Sequence, residues 1–199
     1  LKNKILPKYT FIRKEGPSHS PIFTVSLEVL KLKIIKAKGI LMDCHKNEGK
    51  IIICGNGGSA AIASHVSVDL TKNANIRAVN FNEADLITCF ANDYGYERWV
   101  EKAVDFYADQ KDVLILISSS GKSKNMINGC IEARKKNFSK IITLTGHKKN
   151  NPVMKKGDIN LWINSKAYNF IENIHQFWLL LLVDLLIGKI EYKAKVNER

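Results

Sequence analysis

At 199 residues with 45% hydrophobic content and four prolines, the chain reads as one globular domain, large enough to bury a core without disulfide staples. Its 31 Lys and Arg against 19 Asp and Glu leave a formal charge of +12. That excess is spread along the chain with no finger spacing, RNP-like string or basic zipper, which argues against a nucleic-acid module and suits an anionic substrate or a basic surface equally well. The four cysteines (Cys44, Cys54, Cys89 and Cys130) lie far apart without a CxxC pair, as reduced thiols of a cytoplasmic protein do.

Residues 1–19 are basic and aperiodic and read as an arm. They lack the apolar core of a secretory signal. From Ser20 onward Phe23, Leu27, Leu30, Ile34, Ala37 and Leu41 recur at three- and four-residue steps, which predicts an amphipathic helix ending before Gly49. Ile51 to Cys54 is a short β-branched run suited to a buried parallel strand. The turn Gly55-Asn56-Gly57-Gly58-Ser59 and an alanine-rich helix to Thr71 follow it. A strand, a glycine turn and a helix start in that order form an anion site, because backbone N–H groups and the positive end of the helix dipole converge there. The turn is neither GxGxxG nor GxxxxGK[ST], so nucleotide cradles lose weight.

Further on, Arg77–Phe81 is predicted as a strand, Glu83–Ala91 as a short helix, 92–96 as a turn and Val100–Tyr107 as a helix. Asp112–Ile117 repeats the buried-strand pattern and runs into Ser118-Ser119-Ser120-Gly121-Lys122-Ser123, with a helix from Asn125 to Lys136. Four serine hydroxyls beside a helix start make a second anion site, since a helix N-cap needs only one. Lys140–Thr145 is a strand, 151–157 a helical turn, Ile159–Ile163 a strand and Tyr168–Ile190 a long helix.

The run Phe177–Val183 in that helix is apolar on every face. It is too short for the roughly 20 residues that cross a bilayer, and it predicts burial and packing against another subunit. Alternating strands and helices give a three-layer αβα fold: a doubly wound, mainly parallel five-stranded sheet with an extra N-terminal helix, forming one domain over 20–199. Ligands in such folds bind beyond the carboxyl ends of the strands, so both turns are expected to face one crevice.

The motifs GNGGSA, HxxxDLT, ANDYGY, ISSSGKS, IITLTG and IExIH, in order over 22–190, resemble sugar isomerase (SIS) domain proteins of the phosphoheptose isomerase type. That resemblance implies aldose–ketose isomerisation of sedoheptulose 7-phosphate for bacterial surface polysaccharide (lipopolysaccharide or capsule), in a homotetramer that in many members binds zinc. Substrate contacts fall on Asn56, Gly57, Gly58, Ser59, Asn92, Asp93 and Glu172, and the phosphate on Ser118, Ser119, Ser120 and Ser123. The catalytic set becomes Asp69, Glu172 and His65, and the metal set His65, Asp69 and Glu172.

The chain departs from the family where the chemistry lies. Asp69 stands for a glutamate four residues after His65, Glu172 for a glutamine, and Leu180 for a second histidine. One imidazole with two carboxylates leans from zinc towards manganese or magnesium. Without a metal, two carboxylates facing across one site would share a proton. His175 matches a family histidine without an acid or metal role. A non-catalytic phosphosugar-binding protein, or an interaction module like the replication-initiator-associating adaptors of the same fold, are the alternatives to an isomerase.

Overall fold

A computed structural model describes residues 27–190; the arm at 1–19 and the helix start at 20–26 lie outside this range. The chain runs through α1 (Leu27–Lys46), β1 (Ile51–Gly55), α2 (Gly58–Lys72), β2 (Ala78–Asn80), α3 (Ala84–Tyr94), a 3-10 turn (Tyr96–Arg98) and α4 (Trp99–Tyr107). It continues through β3 (Val113–Ser118), α5 (Lys124–Lys135), β4 (Lys140–Thr145), a 3-10 turn (Met154–Lys156), β5 (Ile159–Trp162) and α6 (Tyr168–Ile187). All five strands pair in parallel, in the order β2-β1-β3-β4-β5.

The strand side chains alternate between two cores, as the two-residue period of a strand requires. Ile51, Ile53, Ile115, Ile117, Ile142 and Leu144 pack with α1, α2 and α6. Ile52, Cys54, Leu114, Leu116 and Ile141 pack with Trp99, Val100 and Met126 under α4 and α5. Helices therefore cover both faces, which is why β1 and β3 are buried along their whole length. Each fully buried isoleucine contributes about 1.5–3 kcal/mol, so the strands carry much of the stability.

Three expected boundaries move by more than one residue. Asn92, Asp93 and Tyr94 form the last turn of α3 rather than a loop; the helix stops at Gly95, whose N–H bonds Ala91 O. The last helix ends at Ile187 instead of Ile190, because Gly188 takes the left-handed conformation (φ 86°) that caps a helix. The helical turn expected over 151–157 contracts to Met154–Lys156.

Helix α6 reaches 20 residues and is apolar enough to cross a membrane by length and composition. Here it is a core helix: Trp178, Leu179, Leu181, Leu182 and Val183 are buried within their own chain, while Phe177 and Leu180 are half-buried. Cys44, Cys54 and Cys130 are buried free thiols and Cys89 is exposed. Burial pushes Cys54 and Cys130 up to about 12, so both stay protonated.

Candidate active site

The strand order reverses direction between β1 and β3, and the two predicted turns leave the carboxyl ends of those two strands. At the first, Gly57 has φ 55° and open space where a side chain would be, so its backbone is bare towards the crevice. Helix α2 starts at the next residue with no side-chain cap; Ser59 N bonds Asn56 O, and Ala60 N and Ala61 N bond Gly57 O, so Gly58 N is the first-turn N–H that faces an anion. Ser59 is buried in that first turn.

At the second turn, Ser118 Oγ donates to Ser123 Oγ at 3.2 Å, and Ser120 Oγ accepts from Lys122 N at 3.3 Å. Ser119 Oγ is buried with no protein partner. Ser123 is the N-cap residue of α5, yet its hydroxyl caps no backbone N–H. The four serines thus gather at a helix start that carries no side-chain cap.

Two residues outside the predicted set join these turns. Asn56 Nδ2 donates to Asn125 Oδ1 at 3.0 Å and Asn125 Nδ2 donates to Asn56 Oδ1 at 2.8 Å, a reciprocal amide pair across the crevice floor. Tyr96 Oη donates to the same Asn56 Oδ1 at 3.2 Å. Asn125 looked like an ordinary helix residue. Its position two residues after the serine loop was the available signal, and Tyr96 stood inside the ANDYGY motif. The α3–α4 junction therefore touches the glycine turn through Tyr96. Asn92 and Asp93 are exposed and bond each other at 2.9 Å, and Asp93 also accepts from Cys89.

Glu172 lies where a Cβ on Gly58 would come within 2.7 Å of its Cδ, so its carboxylate stands at the α2 N-terminus. One turn further along α6, Gln176 Nε2 meets His65 Nδ1 at 3.2 Å. His65 Nε2 pairs with Asp69 Oδ2 at 3.3 Å, the i, i+4 contact read from the sequence. Helices α2 and α6 thus run side by side in one direction. Glu172 is stationed at the start of their seam, and His65 and Asp69 lie about 10 and 16 Å of helix rise below Gly58.

The zinc implied by the resemblance needs at least three protein ligands. Among the described residues no three His, Cys, Asp or Glu side chains gather to hold a metal. Leu180 offers no donor and packs against the core, and both ring nitrogens of His65 already face Gln176 and Asp69. The residues of one chain do not fit the zinc site. The expected set of His65, Asp69 and Glu172 is corrected to a histidine–aspartate pair with Glu172 apart. The expected proton shared by Asp69 and Glu172 falls for the same reason.

His175 is fully buried and donates from Nε2 to Thr145 O at 3.2 Å. Burial drives its pKa down to about 4 against the opposing effect of that bond, so it stays neutral and away from solvent. His147, just past β4, was not predicted; its Nε2 is buried without a partner and its ring lies 5.0 Å from that of Tyr168.

The SIS domain family model matches residues 20–146. A phosphoheptose isomerase of Helicobacter pylori is 32% identical over 188 residues, covering 92% of this chain and 97% of that protein. Phosphoheptose isomerase 1 of Campylobacter jejuni is 37% identical over 133 residues, 64% of this chain and 71% of its own length. Among solved structures, the phosphoheptose isomerase of Neisseria gonorrhoeae superposes with a TM-score of 0.74 at 30% identity, covering 80% of this chain and 88% of that one. The Francisella tularensis enzyme gives 0.75 at 28% identity over 81% and 88%. With its parallel five-stranded sheet, its paired turns and these relatives, the chain belongs to the SIS domain family, on the branch of the phosphoheptose isomerases.

Proposed function

We propose that the protein is a cytoplasmic phosphosugar isomerase that interconverts sedoheptulose 7-phosphate and the corresponding aldose phosphate for surface polysaccharide synthesis. The observation that carries this reading is the pair of uncapped helix N-termini, one behind a glycine turn and one behind four serines, fastened by Asn56 and Asn125. The serine loop takes the phosphate, and the bare backbone at Gly57 and Gly58 takes the sugar.

In the ketose-to-aldose direction a base removes a proton from C1. The C–H electron pair becomes the C1=C2 bond of an enediol, and the C2 carbonyl oxygen gains a proton. Protonation at C2 and loss of the O1 proton then give the aldose. Glu172 is the carboxylate at the crevice and serves as the base; no step depends on a metal.

His65 and Asp69 lie further down α2, so we assign them to the site of a neighbouring copy in a homo-oligomer, a tetramer by family resemblance. Exposed Val29, Leu32, Ile35 and Met42 on α1 and Val68 on α2 support such assembly, as apolar surface on the layer that carries α6. Light scattering that finds a stable monomer at micromolar concentration would remove this assignment.

The test of the isomerase reading is NMR of sedoheptulose 7-phosphate in D2O. Deuterium should enter at the exchanging carbon with the unmodified protein and not with Glu172→Gln. Tight binding without label would favour the non-catalytic phosphosugar-binding reading, which Leu180 in place of an ionisable residue also suits.

A further inference from the structure

We propose that Asn125 locks the Asn56 carboxamide in one orientation, as a donor towards the ligand, and that Asn56 Nδ2 thereby holds the oxyanion of the enediolate. Asn125 is 3% exposed, and its own amide is set by the backbone, because Met126 N donates to Asn125 Oδ1 at 3.1 Å. An N–H meets only an acceptor, so the oxygen of Asn125 takes that branch and its Nδ2 the other, donating to Asn56 Oδ1 at 2.8 Å. The constraint then passes across the crevice floor. With Oδ1 of Asn56 facing that donor, its Nδ2 faces Asn125 Oδ1 at 3.0 Å. Tyr96 Oη meets the same Asn56 oxygen at 3.2 Å. Both lone pairs of Asn56 Oδ1 are therefore engaged, whereas only one of its two Nδ2 hydrogens is. The amide is planar, so the second hydrogen points away from Asn125. Asn56 is half-buried in the glycine turn, and this hydrogen is what it offers a ligand.

The catalytic role rests on the isomerase reading above. Asn56 stands two residues before Gly58, whose missing side chain leaves room for the Glu172 carboxylate. One turn thus carries a fixed donor beside the base. When Glu172 takes the C1 proton, the C–H pair becomes the C1=C2 bond and the carbonyl π pair moves onto O2, where the Asn56 N–H meets the new charge. A proton passes from O1 to O2. Glu172 then returns its proton to C2 as the O1 electron pair forms the aldose carbonyl. A hydrogen bond to a charged acceptor is roughly twice as strong as one to a neutral acceptor, so this donor favours the enediolate over the ketose. Reversed, the amide would turn its oxygen on the oxyanion and repel it. Asn125 acts only through Asn56 and is a positioning residue.

The test compares two phosphosugar probes on the full-length protein by calorimetry. A hexonohydroxamate with a terminal phosphate carries the charge of the enediolate, and a heptitol phosphate has hydroxyls in its place. The unmodified protein should prefer the hydroxamate. Asn56→Ala should erase about a hundredfold of that preference, the effect of removing one such donor. Asn125→Leu, which unlocks the amide without removing it, should erase about tenfold. Affinity for inorganic phosphate should hold in both, and so should the melting temperature. In the deuterium-exchange assay both variants should lose kcat by the same factors with KM nearly unchanged.

A preference that survives Asn56→Ala overturns the proposal. So does an equal loss for hydroxamate, heptitol phosphate and inorganic phosphate, which would mean that the pair only supports the loops. Deuterium label in the unmodified protein with kcat unchanged in Asn56→Ala sinks the donor role and leaves the isomerase reading standing. A hydroxamate preference that Asn56→Ala abolishes, in a protein that gives no label, upholds Asn56 as the donor and sinks only the isomerase reading.

Discussion

The two ends of the sheet treat their polar groups in opposite ways. At the amino ends of β1 and β3 the buried Asp112 carboxylate accepts from Lys50 N at 2.9 Å, from Lys50 Nζ at 2.6 Å and from Asp109 N at 2.8 Å. At the start of β4 Asp158 accepts from Ile141 N at 2.7 Å and pairs with Arg134 at 2.9 Å. At the carboxyl ends, Asn82 Oδ1 after β2, Ser119 Oγ after β3, His147 Nε2 after β4 and Trp162 Nε1 at the end of β5 are buried without protein partners. Native proteins pair buried polar atoms almost everywhere, so unmet groups gathered on one side mark where a ligand or water completes the structure. Stability is concentrated at one end and binding capacity at the other.

Substitutions at the two ends should therefore separate cleanly. The largest effect belongs to the binding end. Replacing Ser118, Ser119 and Ser120 together by alanine removes three donors to a charged phosphate, each worth about 1.5 kcal/mol or more. Phosphosugar affinity by calorimetry should fall on the order of a thousandfold while the melting temperature holds. Unchanged affinity would show that the phosphate sits elsewhere.

At the opposite end, Asp112→Ala should leave binding intact and cost about 3 kcal/mol in urea unfolding, because it leaves two backbone N–H groups unpaired and the Lys50 ammonium with only the exposed Asp109. Burial acts against the charge on Lys50, but its bonds to Asp112 and Asp109 prevail and hold its pKa above the usual lysine value. A loss below about 1 kcal/mol would mean water replaces the carboxylate.

The third effect is a pH dependence. His175 binds its proton at about 4 in the folded chain and at 6.5 when unfolded, so the unfolded state takes up more protons between those values. Its contribution, about 3 kcal/mol by the free energy of such a shift, is present above pH 6.5 and is lost as pH falls towards 4. Stability measured across that window should decline less steeply in His175→Gln, and equal slopes would contradict the burial of an unprotonated ring.

Much of this was legible in the residues. The strands of β1, β3 and β4 announced themselves because a buried parallel strand must be apolar on both faces, and Ile51–Cys54 and Val113–Ile117 have no other use. The serine loop was legible because four hydroxyls exceed what a cap requires. What escaped was long-range pairing. Asn125 reaches Asn56 across 69 positions, and Gln176 reaches His65 across 111; neither has a local signature. Asn92 and Asp93 were misplaced because Asn-Asp-Tyr-Gly reads as a turn, whereas the helix only needed Gly95 to end.

The reciprocal amides of Asn56 and Asn125 also bear on how a ligand arrives. They fasten the two loops to each other before any sugar is present, so the entropy of ordering those loops is spent during folding rather than at encounter. Capture then resembles docking into a rigid vessel: association governed by diffusion and the basic surface, and residence governed by how many phosphate bonds must break together.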